Sequence, residues 1–330
     1  MRHRTITRRT ALGAVGATLL GQTGLALAQA GTFPNKPIKI IVPWAAGGGG
    51  DVVVRRLVPG MQQRLGQAVV VENRPGAIGT IGSLVAARSP ADGYTILYGA
   101  ADSHSIAPQV FKKMPYDAKK EFVAVAPIGF PPISICVHAS HPAKTFEQFL
   151  KMAREAKPAL TYGSWGQGGS GHITMEALMQ AAKIEMVHVP YKGGPAAIAD
   201  LMSGQVQLMM EGLNSASGHV KAGRVRGLAV TGAKRSAVFP EVPTLIESGV
   251  AGYEATTWHG MVVPAGTPKA IVAALNTKLN KAVNSPAATE RILALGSEPL
   301  TGTPEEFWTL VRTDSAKWAE VIRKAGAKID

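Results

Sequence analysis

An apolar strand that runs straight into a glycine loop and then into a helix is the feature that most constrains this chain, and the unit recurs along it. Ile38–Val42 is apolar except for Lys39, as expected of a parallel strand covered on both faces. Ala45, Ala46 and the run Gly47-Gly48-Gly49-Gly50 follow, and Asp51 is a residue type that caps helices. Val54, Leu57, Val58, Met61 and Leu65 then recur at helical spacing. Pro59 lies inside that pattern and is expected to kink or interrupt the helix, because it removes one N–H donor and its ring crowds the preceding turn.

The alternation continues with a strand at 69–71, a turn at 72–76, a short Gly/Ala helix over about 79–87 and a strand at 94–98 after Asp92-Gly93. The apolar stretch 123–137 is broken by Pro127, Pro131 and Pro132, and reads as a strand, a hinge and a second strand entering another lobe. Helix 146–156, strand 160–162, loop 163–171, helix 172–182, strand 186–189, helix 195–202 and strand 206–210 repeat the pattern there. A strand at 227–231 is expected to return to the first lobe, and 256–263 is a second crossing strand. Helices at 268–284, 286–295 and 304–325 each open near a proline.

Such alternation predicts an α/β fold of two lobes, each a mostly parallel sheet flanked by helices. The expected division is residues 31–126 with about 223–258 for lobe 1, 127–222 for lobe 2, and 259–330 for a crossing strand and C-terminal helices that pack on both. Open α/β sheets bind ligands beyond the carboxyl ends of their strands, so the strand-to-helix loops are the candidate site.

Residues 1–30 read as a secretory signal peptide and stand outside the fold argument. Arg2, Arg4, Arg8 and Arg9 make a positive start, an uncharged Ala/Leu/Gly stretch follows, and Ala28-Gln29-Ala30 offers small residues for cleavage. Arg8-Arg9 also suits a twin-arginine signal, and a membrane anchor is the competing reading. The expected location is therefore the periplasm, by Sec or twin-arginine export. The formal charge of +13 on 330 residues falls to +9 once those four arginines are removed, which favours anionic partners. Nucleic acid is not expected, because the basic residues are scattered and neither an RNA-binding aromatic signature nor zinc-finger spacing is present. Cys136 is the one cysteine, so no internal disulfide forms.

Four loops carry candidate chemistry. In the first, Trp44, Ala46, Gly47, Gly48 and Asp51 surround a helix start whose unpaired amides and positive dipole end attract an anion. It lacks the Gly-Lys-Ser/Thr of a phosphate loop and the Gly-x-Gly-x-x-Gly of a dinucleotide site. In the second, Ser164, Trp165, Gln167, Gly169, Ser170 and His172 supply hydroxyls, an amide and free N–H groups able to converge on one carboxylate, with Ser170 also suited to capping the next helix. The third, 99–104, contributes Ser103; the fourth, 191–195, contributes Tyr191; Glu211 follows the strand at 206–210. Trp44 and Trp165 flank the two main loops, as pocket walls that would stack on an aromatic carboxylate or as packing residues. No Gly-x-Ser-x-Gly elbow follows a strand, and Cys136 with His138 lacks a further ligand at metal spacing, so no catalytic residue, metal ligand or cofactor is expected.

Seven ordered motifs, at residues 37–48, 71–76, 92–95, 187–193, 228–231, 264–268 and 302–307, resemble the receptors of tripartite tricarboxylate transporters, the Bug family. The resemblance runs from about Phe33 to the C-terminus. It implies a periplasmic binding protein of the type II, Venus-flytrap kind with no enzymatic activity. Such a monomer delivers a small carboxylate (a di- or tricarboxylate, or an aromatic acid) to membrane permease subunits. It further implies that loops 45–51 and 164–172 hold one ligand carboxylate, often through backbone N–H groups and ordered waters. Gly50 stands where many relatives place Thr, and Trp165 and Gln167 where they place small or Asn-like residues, so ligand specificity does not transfer. The competing functions are a periplasmic sensor that feeds a signalling partner and an exported hydrolase.

Overall fold

A computed structural model describes residues 33–325, so the signal-peptide reading lies outside the described residues. The first sheet contains β1 (Ile38–Val42), β2 (Val69–Asn73), β3 (Thr95–Ala100), β4 (Phe122–Phe130), β10 (His259–Pro264) and β11 (Glu298–Pro299) in the order β11-β4-β10-β3-β1-β2. The second contains β5 (Ile133–His138), β6 (Leu160–Ser164), β7 (Met186–Pro190), β8 (Leu208–Gly212) and β9 (Val225–Val230) in the order β7-β6-β8-β5-β9.

One strand inserted within each sheet breaks the parallel run, besides the short edge strand β11 that pairs antiparallel with β4, and the position of the inserted strand explains the cleft. β1 is parallel to β2 and β3, whereas β10 is inserted antiparallel between β3 and β4. In the second sheet β6 is parallel to β7 and β8, and β5 is inserted antiparallel between β8 and β9. Both inserted strands are the ones that arrive from the other lobe. The chain leaves β4 at its carboxyl end, passes Pro131-Pro132 and starts β5; later it returns and starts β10. Each therefore begins where the parallel strands of its new sheet end, and the carboxyl ends of both sheets face one shared cleft. The bridge between Pro132 and Thr256 ties the two crossings together.

Helices cover the sheets: α1 (Gly49–Leu65), α2 (Thr80–Ala87), α4 (Phe146–Glu155), α5 (Ser170–Ala182), α6 (Gly194–Ser203), α7 (Leu213–Lys221) and α8 (Lys269–Val283). The short α3 (Ala107–Val110) continues a π turn at Asp102–Ile106, and α9 (Pro286–Leu293) and α10 (Pro304–Ala325) end the chain. Each sheet has its own core. Ile38, Ile40, Leu57, Ile96 and Met261 pack in the first lobe, and Ile135, Phe149, Tyr162, Leu208 and Leu228 in the second. α10 joins them, because Trp318 and Ile322 pack with Ile106 of lobe 1 and Ile173 of lobe 2.

Two expectations need correction. The strand at 227–231 does not return to the first lobe. As β9 it pairs antiparallel with β5, and Leu228, Leu245 and Val250 bury their side chains in the second core, so only β10 makes the return. Secondly, α1 runs unbroken through Pro59. Pro59 is exposed, which lets its ring face solvent, while Val54, Leu57 and Met61 bury the opposite face and hold the helix together. The missing donor still costs stability. Pro59→Ala is therefore expected to raise stability by roughly 1–3 kcal/mol, the host–guest difference less the entropy that proline removes from the unfolded chain. A denaturant midpoint unchanged or lowered in that variant would contradict this account of the helix.

Candidate functional site

The loops at the carboxyl ends of both sheets enclose a cavity of about 60 Å³. One ordered water needs on the order of 10–15 Å³, so the cavity has room for several waters or a small solute. Lobe 1 supplies Trp44, residues 48–50, Tyr98, Asp102 and His259, and lobe 2 supplies Trp165, Ser170, Gly194, Glu211 and Asn214.

Four helices start on this cavity: α1, α5, α6 and α7, the last through Gly212 and Asn214. The N-cap of α1 is Gly48, so the amides of residues 49–51 are the ones left without a partner inside the helix. Asp51 sits in the first turn but faces away from the cavity. Its carboxylate accepts from the Gly47 amide at 2.9 Å, from Arg55 at 2.9 Å and from Asn73 at 2.9 Å. Burial opposes ionisation there, but those bonds outweigh it and hold Asp51 below its ordinary range. Glycine is needed at 49 and 50 because the walls come so close. A Cβ on Gly49 would lie 2.7 Å from Asn214 Oδ1 of the opposite lobe, and one on Gly50 would lie 2.7 Å from the buried Tyr98 ring.

At α5 the N-cap is Gly169, not Ser170, and the helix start already holds an anion from the other lobe. The Ser170 amide donates to Asp102 Oδ1 at 2.6 Å, the Ser170 hydroxyl to Asp102 Oδ2 at 3.0 Å, and the Trp165 indole N–H to Oδ1 at 3.4 Å. Burial raises the Asp102 carboxyl above its usual range against the pull of these bonds. The start of α6 is likewise faced by a carboxyl group. A Cβ on Gly194 would meet Glu211 Oε2 at 2.6 Å. Burial pushes Glu211 up to about 8, with bonds from Ser215 and the Gly212 amide drawing it back. Glu211 Oε2, Asn214 Nδ2 and Tyr98 OH are buried and have no hydrogen-bond partner. His259, at the wall, is held neutral because burial pushes it down to about 3.

Of the residues expected from sequence, the structure brings Trp44, Gly48, Trp165, Ser170 and Glu211 together at this cavity. Gly169 lies just behind, where a Cβ would come within 3.0 Å of Asp102 Oδ1. Gln167 and Tyr191 line a neighbouring cavity beside Trp44 and Trp165, and the Tyr191 hydroxyl donates to Asp200 at 2.7 Å. The others stand off the cavity, each for a local reason. Ala46 and Gly47 form the turn that Asp51 secures. Ser103 is wholly buried, bonded to the Ala100 carbonyl and 2.9 Å from His104 Nδ1. Ser164 lies 2.8 Å from His188 Nε2. His172 accepts from the Gly168 amide at 3.0 Å and stacks on His188 at 4.0 Å, which makes both packing residues.

Gly49 and Gly50 lie within the expected loop 45–51 without having been singled out, whereas Asp102, Tyr98, Asn214 and His259 were not expected to line the site. Asp102 had a signal, as the acid beside Ser103 in the third loop; Asn214 sits three residues past Glu211 at the next helix start. Tyr98 and His259 carried none, since each reads as a strand residue.

Cys136 and His138 do not form a pair. Cys136 is buried among Ala197, Leu201 and Met209, whereas His138 bonds Ser140 near the surface. Burial pushes the Cys136 thiol up to about 12. It is therefore expected to resist a thiol reagent at pH 8 in the native protein and to react only as the chain unfolds. Full labelling within the mixing time would contradict this. Among the described residues no group of three His, Cys, Asp or Glu is placed to hold a metal ion, and no helix is long and apolar enough to cross a membrane.

Two α/β lobes whose strands end on a shared cleft, joined by crossing strands, define a two-lobed solute-binding protein of the Venus-flytrap kind. The family model described as "Tripartite tricarboxylate transporter family receptor" matches residues 53–327. A relative from Pseudomonas sp. (strain P51), the UPF0065 protein in the tcbD-tcbE intergenic region, is 36% identical over 291 residues, covering 88% of this chain and 86% of its own. The periplasmic binding protein BugD superposes with a TM-score of 0.86 at 34% identity, over 90% of this chain and 99% of BugD. A structure described as "R. palustris Rpa4515 with adipate" gives 0.87 at 33% identity, over 90% and 100%. This chain belongs to the tripartite tricarboxylate transporter receptor family, the Bug family.

Proposed function

We propose that the chain is an extracytoplasmic receptor that captures a small organic carboxylate and delivers it to the permease subunits of a tripartite tricarboxylate-type transporter, without catalysing a reaction on it. The start of α1 carries the reading. Its free amides open on the interlobe cavity, its own Asp51 is turned away, and Gly49 and Gly50 leave the backbone bare. A carboxylate placed there gains charge-assisted hydrogen bonds worth roughly 1.5–3 kcal/mol each. Micromolar affinity needs about 8 kcal/mol, which four or five such bonds from two lobes supply after ordering costs.

The adipate in the related structure supports a carboxylate, and BugD supports a periplasmic setting. Both halves of the cavity come from one chain, so a monomer suffices. Closing the lobes on the solute is the change a permease would read.

Thermal denaturation of the mature chain against a panel of mono-, di- and amino-carboxylates tests this. A ligand at 100 times its Kd stabilises the native state by about 2.7 kcal/mol, so at least one class is expected to raise Tm by several degrees. No shift with any carboxylate at millimolar concentration would overturn the reading.

A further inference from the structure

We propose that the protein carries its own latch for closure: Ile78 and Asp102 of the first lobe grip the loop 164–170 of the second, so that the closed arrangement is populated before a solute arrives. This rests on the two-lobed receptor reading above and concerns how the same cleft is regulated, not what it binds.

The first half of the latch is a strained wedge. Residues 76–79 all have positive φ, at 127°, 45°, 48° and 91°. Glycine at 76 and 79 adopts such angles freely, whereas a β-branched residue in this region is an outlier. Ile78, at φ 48° and ψ 37°, is nevertheless buried, at 6% exposed. Such a conformation persists only where its surroundings outweigh the strain, and it concentrates at clamps and switch regions. Part of those surroundings belongs to the other lobe. Ile78 Cγ2 lies 3.1 Å from where a Cβ of Gly166 would stand, and 3.3 Å from where one of Gly169 would stand. Two glycines of the second lobe thus leave a notch that one branched side chain fills. Ile173, in the first turn of α5, packs in the same apolar cluster.

The second half is polar and comes from a different loop. Asp102 opens the π turn after β3, and its carboxyl group reaches across the cleft to the Ser170 amide, the Ser170 hydroxyl and the Trp165 indole N–H. Both halves meet at Gly169, whose Cβ would stand 3.0 Å from Asp102 Oδ1 as well as against Ile78. Every partner in these contacts is a protein atom. Closing therefore covers Ile78 and completes three hydrogen bonds on its own account, and parting the lobes bares the wedge and returns the bonds to water. A solute adds its bonds to a closure already favoured, and its apparent affinity rises with the closed fraction. What a permease would read is then the shift from partial to full closure.

The test needs no solute. Spin labels placed through Gln63→Cys in α1 and Gln205→Cys just beyond α6 report the separation of the lobes; both positions are exposed, and Cys136 is buried. The mature protein is unfolded and refolded first, to strip any solute carried through purification. Pulsed electron spin resonance is expected to resolve a component at the label separation of this structure. Ile78→Gly, which suits the left-handed backbone but removes the wedge, should lower the ratio of that component to the open one about tenfold, and Asp102→Ala should do the same separately. The two variants act on different chemistry, and the component in the parent protein is a test that requires neither to fold. A solute-free parent without the closed component would overturn the proposal, as would a folded variant with the parent's ratio. Neither result touches the carboxylate reading, which stands or falls on the denaturation panel.

Discussion

Gly49→Leu is expected to lower solute affinity by at least 100-fold while leaving the Tm of the unliganded protein within a few degrees. The glycine sits at the start of α1 with its Cα turned to the opposite lobe, where a Cβ would lie 2.7 Å from Asn214 Oδ1 and 2.8 Å from Nδ2. Leucine adds three more carbons along that line. They hold the lobes apart, because the group they meet is the polar Asn214 of the opposite lobe. Failure to close removes the bonds that lobe 2 makes to the solute. Two such bonds at about 1.5 kcal/mol each come to about 3 kcal/mol, a factor above 100 in Kd. Affinity within threefold of the parent protein would mean that lobe approach at Gly49 plays no part in binding.

The largest stability effect is expected at Phe307, which does not line the cavity. Its ring is 1% exposed, packs edge-on to Trp258 at 5.3 Å, and lies directly over Gly260 of β10, where a Cβ would approach its Cζ to 2.1 Å. Strand and helix thus meet through a glycine that makes room for one large ring. Phe307→Ala leaves that space empty and is expected to cost about 3–5 kcal/mol, a large share of the 5–15 kcal/mol typical of a folded protein. The matching fall in Tm is roughly 6–15 °C. A fall under 2 °C would show that α10 adds little to the first lobe.

Periodicity made most of the framework legible. Strands separated by 3.6-period helices predicted two α/β lobes, and the prolines at 127, 131 and 132 marked the region of the first crossing, although the boundary expected between 126 and 127 falls inside β4, which runs to Phe130. The glycine loops located the helix starts, because bare backbone is what a close approach requires. β9 was assigned to the wrong sheet for a physical reason: a short, mostly apolar strand satisfies either core equally well, and only long-range pairing with β5 decides between them. Pro59 was read by a local rule that the buried face of α1 overrides.

The site was legible as loops but not as side chains. Asp102 and Ser103 are adjacent, and sequence favoured the serine; the π turn sends Ser103 into the lobe and Asp102 across the cleft to Ser170. Ser170 was read as a donor for the solute, and its donors are spent on that aspartate. Asn214 and Glu211 come from one strand end and the following helix, and their convergence with Gly49 depends on how the lobes face each other. Spacing within a sequence carries no information about that.

The most direct test of the central claim is a structure of the mature protein with a bound carboxylate solute. The account predicts carboxylate oxygens at about 2.7–3.2 Å from the amides of residues 49–51, with atoms of both lobes touching the same solute. A carboxylate seated on one lobe alone, or bound away from the start of α1, would contradict it.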